Sequence, residues 1–171
     1  IEMNELEEFF WNGMKRVWPH PQKMPPGTQL NLGSGEHSIA DAIELDLPEW
    51  DANFQRIPYE DGTIAGIHCY HLLEHLDKPQ NLLVECQRVL ISGGIMNIVV
   101  PYGTCGMALH DLTHRHFFNE DTWRNLFSRV FYNSAILADW ATHKWEFDIL
   151  FNVIMGIKGD NLALCTQLVR S

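Results

Sequence analysis

The chain has 171 residues, 46% of them hydrophobic, which is about one domain's length and enough to bury a core without disulfide or metal staples. Its 22 acidic against 12 basic residues give a formal charge of −10, which repels phosphate backbones and anionic lipid, so DNA and membrane partners are not expected. No apolar run reaches the ~18 residues that a bilayer span needs. Cys69, Cys86, Cys105 and Cys165 are widely spaced with no CxxC, in a chain without a charged-then-apolar leader, and they predict reduced thiols in a cytoplasmic setting.

Residues Asn4 to Trp18 put Leu6, Phe9, Phe10, Met14 and Val17 at helical spacing, with acids early and Lys15 and Arg16 late, and predict an amphipathic leading helix that packs on the core or covers a site. WPHPQKMPPG, with four prolines in ten residues, predicts a linker. A single domain over 1–171 is expected, with leading helix and linker over 1–27 and the core over 28–171. From there short β-like runs alternate with helical ones, the pattern of a parallel sheet with crossovers. Strands are predicted at Thr28 to Leu32, Ala42 to Asp46, briefly at Ala52 to Phe54, and at Ile64 to Cys69.

A helix is predicted over Pro79 to Leu90, with Leu82, Leu83, Cys86, Val89 and Leu90 on one face and Ser92, Gly93 and Gly94 as its stop. Ile95 to Val100 reads as a strand covered on both faces. A helix near Glu120 to Phe127 precedes two long β-like runs, Glu146 to Ile157 and Asn161 to Arg170, whose intervening LysGlyAsp signals an antiparallel hairpin. Asp51, Glu60 and Asp61 read as turn and solvent-facing acids. Trp123, Phe127, Phe131 and Tyr132, at helical spacing, read as core rather than as an acceptor pocket.

LNLGSGE, Leu30 to Glu36, is the first segment that carries chemistry. Glycines free of Cβ let a backbone approach a ligand, and Asp46, eleven residues past Gly35, is an acid at the next strand end that can accept ribose hydroxyls. A dinucleotide fingerprint needs a third glycine, where this chain has Ser38, and its acid about 20 residues onward. NAD is therefore not the expected ligand. The interval between Gly35 and Asp46 is also too short for a loop, a full helix and a strand, leaving EHSIAD about one turn.

The order LNLGSGE, ELDL, RIPYEDGTIAGIHCYHLLEHL and VECQRVLISGGIMNIVVPY resembles class I S-adenosylmethionine-dependent methyltransferases, over most of residues 28 to 170. HDLTHRHFFNEDTW is similar to a stretch of small methyltransferases associated with glycan or capsule biosynthesis. The resemblance implies an α/β, Rossmann-like, doubly wound and mostly parallel sheet with a C-terminal antiparallel hairpin. It further implies that Gly33, Ser34 and Gly35 approach the methionine and ribose of S-adenosylmethionine, with Asn31 behind them. Asp46, followed by Leu47, takes the ribose hydroxyls, and Asn53 and Phe54 recognise adenine through the Asn amide oxygen and an apolar wall. Cys69, Tyr70 and His71 close the methionine side and face the methyl group.

Transfer from an activated sulfonium asks for an aligned acceptor and, for a hydroxyl, removal of a proton. Histidine suits that task near neutral pH. The candidates are His71 and His75 after the fourth predicted strand and His110, His114 and His116 after the fifth, with His71 favoured by position and His114 retained as an acceptor-site residue. His71, Glu74 and His75 also spell HxxEH, an inverted zinc-protease motif, but they straddle a strand end and a short helix rather than lying inside one helix. Asp111, His114 and His116, beside His110, are a second set of metal-type side chains. Both sets are read first as bracing and acceptor-site residues, with no metal expected.

The expected function is methylation of a small-molecule or sugar-like acceptor. The alternatives are a non-catalytic cofactor- or partner-binding module and a metal-dependent hydrolase working through HxxEH. A homo-oligomer in which a second subunit covers the shortened site is compatible with the sequence.

Overall fold

The computed structural model describes residues 23–128, 143–157 and 160–171. The leading helix expected over Asn4 to Trp18, together with Phe131 and Tyr132, lies outside the described residues. Strands β1 (Gln29–Leu32), β2 (Ala42–Leu45), β3 (Ile64–Tyr70), β4 (Leu90–Pro101), β5 (Phe147–Ile157) and β6 (Asp160–Arg170) form one sheet in the order β2-β1-β3-β4-β6-β5. The β2-β1, β1-β3 and β3-β4 pairs are parallel, and β6 joins both β4 and β5 antiparallel. This is the mostly parallel sheet with a C-terminal antiparallel hairpin that the alternating pattern predicts.

Helices α1 (Pro79–Val89) and α3 (Glu120–Ser128) pack on one face. Proline at the start of α1 costs no hydrogen bond, and Leu82, Leu83, Cys86 and Val89 turn inward against Leu30, Ile67, Met96 and Ile98 of the sheet. Trp123 of α3 is buried and stacks on Phe118 at 5.3 Å, so the aromatic residues described here are core, as their spacing predicts. The short helix α2 (Gly106–His110) sits on the other face, where Met107 packs with Val99, Met155, Ala163 and Cys165. All four cysteines are buried free thiols, and burial pushes that of Cys165 up to about 12. Among the described residues no helix is long and apolar enough to cross a membrane.

Two expected boundaries change. Ala52 to Phe54 form a turn, not a strand: the Asp51 side chain accepts from Asn53 N at 2.8 Å, and its carbonyl accepts from Phe54 N and Gln55 N. That local side-chain bond competes successfully with extension. Helix α1 ends at Val89, and the chain enters β4 directly at Leu90, so Ser92, Gly93 and Gly94 ride within an irregular first part of that strand rather than ending the helix.

Asn31, His68, Asn97 and Gln167 are successive cross-strand neighbours on β1, β3, β4 and β6, a polar row across the sheet. Gln167 Nε2 donates to Asn97 Oδ1 at 2.9 Å. Gln29 Oε1 only accepts, so His68 carries its proton on Nε2 toward it, at 3.1 Å, and Nδ1 receives the Tyr70 hydroxyl at 3.0 Å. Burial pushes the His68 imidazole down to about 4, which keeps it neutral.

Arg88 of α1 fixes the segment before β3. Its guanidinium donates to the carbonyls of Ile57 and Tyr59, to both oxygens of Glu85 and to Asp61 Oδ1 at 2.7 Å. Asp61 is thus an ion-pair partner rather than only a turn acid, and the Arg88 hydrogen bond holds its carboxyl below the usual range.

Two measurements follow from these contacts. Arg88→Ala should lower unfolding free energy in urea by about 2 kcal/mol, through the carbonyls and the Glu85 carboxylate that lose their donor. Because the folded His68 lies below its unfolded value near 6.5, its contribution is full above pH 6.5 and is lost as pH falls toward 4. Wild type should therefore lose about 2 kcal/mol more than His68→Phe between pH 7.5 and pH 5.

Candidate functional site

The carboxyl ends of β1, β2 and β3 meet at one edge of the sheet. Gly33 and Gly35 there have φ of +63° and +52°, a region costly for any residue with a Cβ. A Cβ on Gly33 would lie 2.9 Å from Leu72 Cδ1, so the turn after β1 abuts the segment after β3. Among the described residues a Cβ on Gly35 would meet nothing within 4 Å, so this glycine is open toward them. Asn31, buried, donates from Nδ2 to His37 O at 2.9 Å, and the carbonyl of buried Ser34 accepts from His37 N. Both residues brace the loop from behind.

Residues 36–41 contain no helix at all. The orphan amides that a helix N-terminus would offer are missing, and the loop is anchored instead by Asp46, whose Oδ2 accepts from Gly35 N at 2.6 Å while Oδ1 accepts from Leu47 N at 2.8 Å. Each oxygen keeps a second lone pair for another donor. Leu47 and Phe54 are exposed apolar side chains, 65% and 82% accessible. Asn53 Oδ1 accepts from Asp77 N at 2.8 Å and ties the Asp51 turn to the segment after β3, which leaves its second lone pair for another donor.

β3 ends on buried Cys69, then Tyr70 and His71. The Tyr70 hydroxyl joins the polar row through His68, and its ring packs beside the Val99 and Cys165 cluster. His71 has φ +53°, a strained conformation for a residue with a Cβ. Its Nδ1 lies 3.2 Å from Oε1 of Glu74, a carboxylate only 1% exposed, in the one-turn 3-10 helix Leu73–His75.

The loop after α2 folds over this short helix. Glu74 O accepts from Arg115 N at 2.7 Å and from His116 N at 3.3 Å, and Arg115 pairs with Asp77. His116 Nε2 faces Asp77 O, so this histidine braces the loop. His114, its side chain 7% exposed, sets Nδ1 on Ala108 O at 3.1 Å and its ring against that of His75, with centroids 4.7 Å apart. His75 Nδ1 lies 2.9 Å from Thr113 Oγ1, which itself donates to Asp111 Oδ1. His110 is exposed at the end of α2. Sequence reasoning saw HxxEH and HDLTHRH as separate sets; the fold puts Glu74 and His75 of the first beside His114 of the second, and Thr113 was not singled out.

Residues 31–98 match the methyltransferase domain family. No curated protein sequence matches the chain. Solved structures do. One chain of a methyltransferase–activator complex from Haloferax volcanii is 12% identical with a TM-score of 0.66, over 98% of this chain and 92% of that one. An S-adenosylmethionine-dependent methyltransferase from Archaeoglobus fulgidus is 15% identical with a TM-score of 0.61, over 99% and 100%. Another, from Mesorhizobium loti, is 12% identical with a TM-score of 0.63, over 94% and 97%. The chain thus has the fold of these S-adenosylmethionine-dependent methyltransferases, the class I fold, with the methyltransferase-domain match confined to residues 31–98. S-adenosylmethionine is the cofactor of that class.

The residues present fit that group. The open side of Gly35, the Asp46 carboxylate beside it and the exposed Leu47 and Phe54 offer a Cβ-free approach, a hydroxyl acceptor and apolar surface. Asp46→Ala removes the acceptor and the Gly35 anchor together, and calorimetry with S-adenosylhomocysteine should show binding at least about tenfold weaker. Unchanged affinity would remove Asp46 from the cofactor site.

Proposed function

We propose that the chain methylates a hydroxyl of a small-molecule or sugar-like acceptor, with His71 as general base and Glu74 as the residue that orients it. The observation that carries this reading is the pairing of His71 Nδ1 with the buried Oε1 of Glu74 at 3.2 Å. A carboxylate can only accept, so the imidazole keeps its proton on Nδ1 and turns Nε2, with its lone pair, to the task of accepting one. Leu72, the next residue, lies against Gly33, so the base stands beside the turn that would receive the cofactor. Gly33, Gly35 and Asp46 would hold S-adenosylmethionine, with Leu47 and Phe54 as apolar cover. When bound, that group supplies a methyl on a positively charged sulfur. The protein's own part is to align the acceptor oxygen, take its proton at His71 Nε2 and limit access of water. Buried free thiols at all four cysteines support a reducing, cytoplasmic setting.

A second reading is a cofactor- or partner-binding module without turnover by itself. It is favoured by the absent helix after the glycine loop and by the prior engagement of Asn53 Oδ1 with Asp77 N. The likeness to a chain solved with a methyltransferase activator supports a partner-dependent form of it.

Labelled S-adenosylmethionine offered with a panel of hydroxyl-bearing acceptors separates the two. His71→Ala should keep S-adenosylhomocysteine affinity and lose about 10²–10⁴-fold in turnover at neutral pH. Glu74→Gln should lower kcat with KM for the cofactor unchanged. Cofactor binding without transfer to any acceptor selects the module, and undiminished turnover in His71→Ala removes this base.

A further inference from the structure

We propose that Glu74, His75 and His114 bind one divalent transition-metal ion of zinc-like chemistry, with a coordination position left open to a water or hydroxyl oxygen. One ligand-type atom from each of the three lies within 4.8 Å of the others. The edge of a tetrahedral site with bonds near 2.0–2.1 Å is about 3.4 Å, so small side-chain rotations would close this group on an ion.

The hydrogen bonds around the cluster specify which atoms are available. Thr113 gives its hydroxyl proton to Asp111 Oδ1 at 2.6 Å, so toward His75 Nδ1, 2.9 Å away, it can only accept. His75 therefore carries its proton on Nδ1 and a lone pair on Nε2. His114 Nδ1 faces the carbonyl of Ala108, an acceptor, and the same reasoning leaves the lone pair of its Nε2. Glu74 contributes Oε2, a buried atom with no hydrogen-bond partner among the described residues, while its Oε1 is held by His71. Two imidazole nitrogens with lone pairs and one carboxylate oxygen are thus available on three residues whose ligand-type atoms lie within 4.8 Å of one another. A buried carboxylate oxygen without a donor is costly, and a cation satisfies all three acceptors together.

Both imidazoles already possess the outer partners that fix a ligating histidine, a carbonyl for His114 and the Thr113–Asp111 pair for His75. Asp111 Oδ2 lies 3.6 Å from His114 Nε2, at the rim of the group. Two nitrogens and a carboxylate oxygen suit zinc-type ions rather than calcium or magnesium. The set also differs from an HxxEH hydrolase centre: His71 is turned to Glu74 instead of ligating, and His114 from a distant loop takes its place. The ion would pin the loop after α2 to the end of β3 and would share Glu74 with the proposed base, yet its binding does not depend on methyl transfer.

The test is zinc and cobalt titration of tag-free, chelator-treated protein, by calorimetry and by the visible absorption of bound Co²⁺. Wild type should take up one equivalent of either ion. His114→Ala and His75→Ala should each weaken binding at least about tenfold, as should Glu74→Gln, which preserves side-chain shape and covers the case in which a histidine variant fails to fold. His71→Ala should still take up one equivalent of zinc, which separates the metal site from the catalytic reading. No stoichiometric uptake by wild type at about 100 μM free zinc, or equal affinity in Glu74→Gln and in every folded histidine variant, would overturn the proposal.

Discussion

A carboxylate that leaves water must find charge or donors, and in this chain the buried Glu74 organises everything around the end of β3. Its Oε1 takes His71, its backbone carbonyl takes the amides of Arg115 and His116, and its carboxylate lies in one group with the imidazoles of His75 and His114. One residue therefore orients the proposed base, docks the loop after α2 and forms part of the proposed metal site. The strain of His71 in the left-handed region belongs to the same arrangement, because it aims the imidazole at the carboxylate three residues on.

The cofactor side is built with fewer parts. Neither the β1-to-β2 nor the β2-to-β3 connection contains a helix, so neither offers a helix N-terminus to a ligand. Side chains that read as ligand contacts serve first as braces: Asp46 holds Gly35 N, Asn31 holds His37 O and Asn53 holds Asp77 N. A compact loop of this kind exchanges dipoles for fixed hydrogen bonds, and leaves Leu47 and Phe54 exposed. The segment leading into β3 is held by Arg88, which donates to the carbonyls of Tyr59 and Ile57.

Much of this was legible in the residues. Five of the six strands, the apolar face of α1 and the terminal hairpin follow from periodicity and turn chemistry, and β2 follows from the apolar patch ending in Asp46. The strand expected at Ala52 to Phe54 failed because the Asp51 side chain makes a turn with its own neighbours, a bond that apolar patterning does not register. Tyr70 could not be assigned from its place at a strand end, since strand alternation sends its hydroxyl to the polar row formed by Asn31, His68, Asn97 and Gln167. That row is invisible in sequence, where its members are separated by tens of residues and each sits in an apolar run.

The sequence by itself determined the order of elements, the glycine turn, the acid after β2 and the presence of histidines near two strand ends, because these are local properties of spacing and side-chain type. Only the tertiary structure decided that His114 and Thr113 meet Glu74 and His75, and that His71 turns to Glu74 rather than standing as a ligand beside it. The reason is physical: the Glu74 backbone carbonyl accepts the amides of Arg115 and His116, that docking brings Thr113 to His75 across 38 residues, and no local periodicity carries the geometry of the contact.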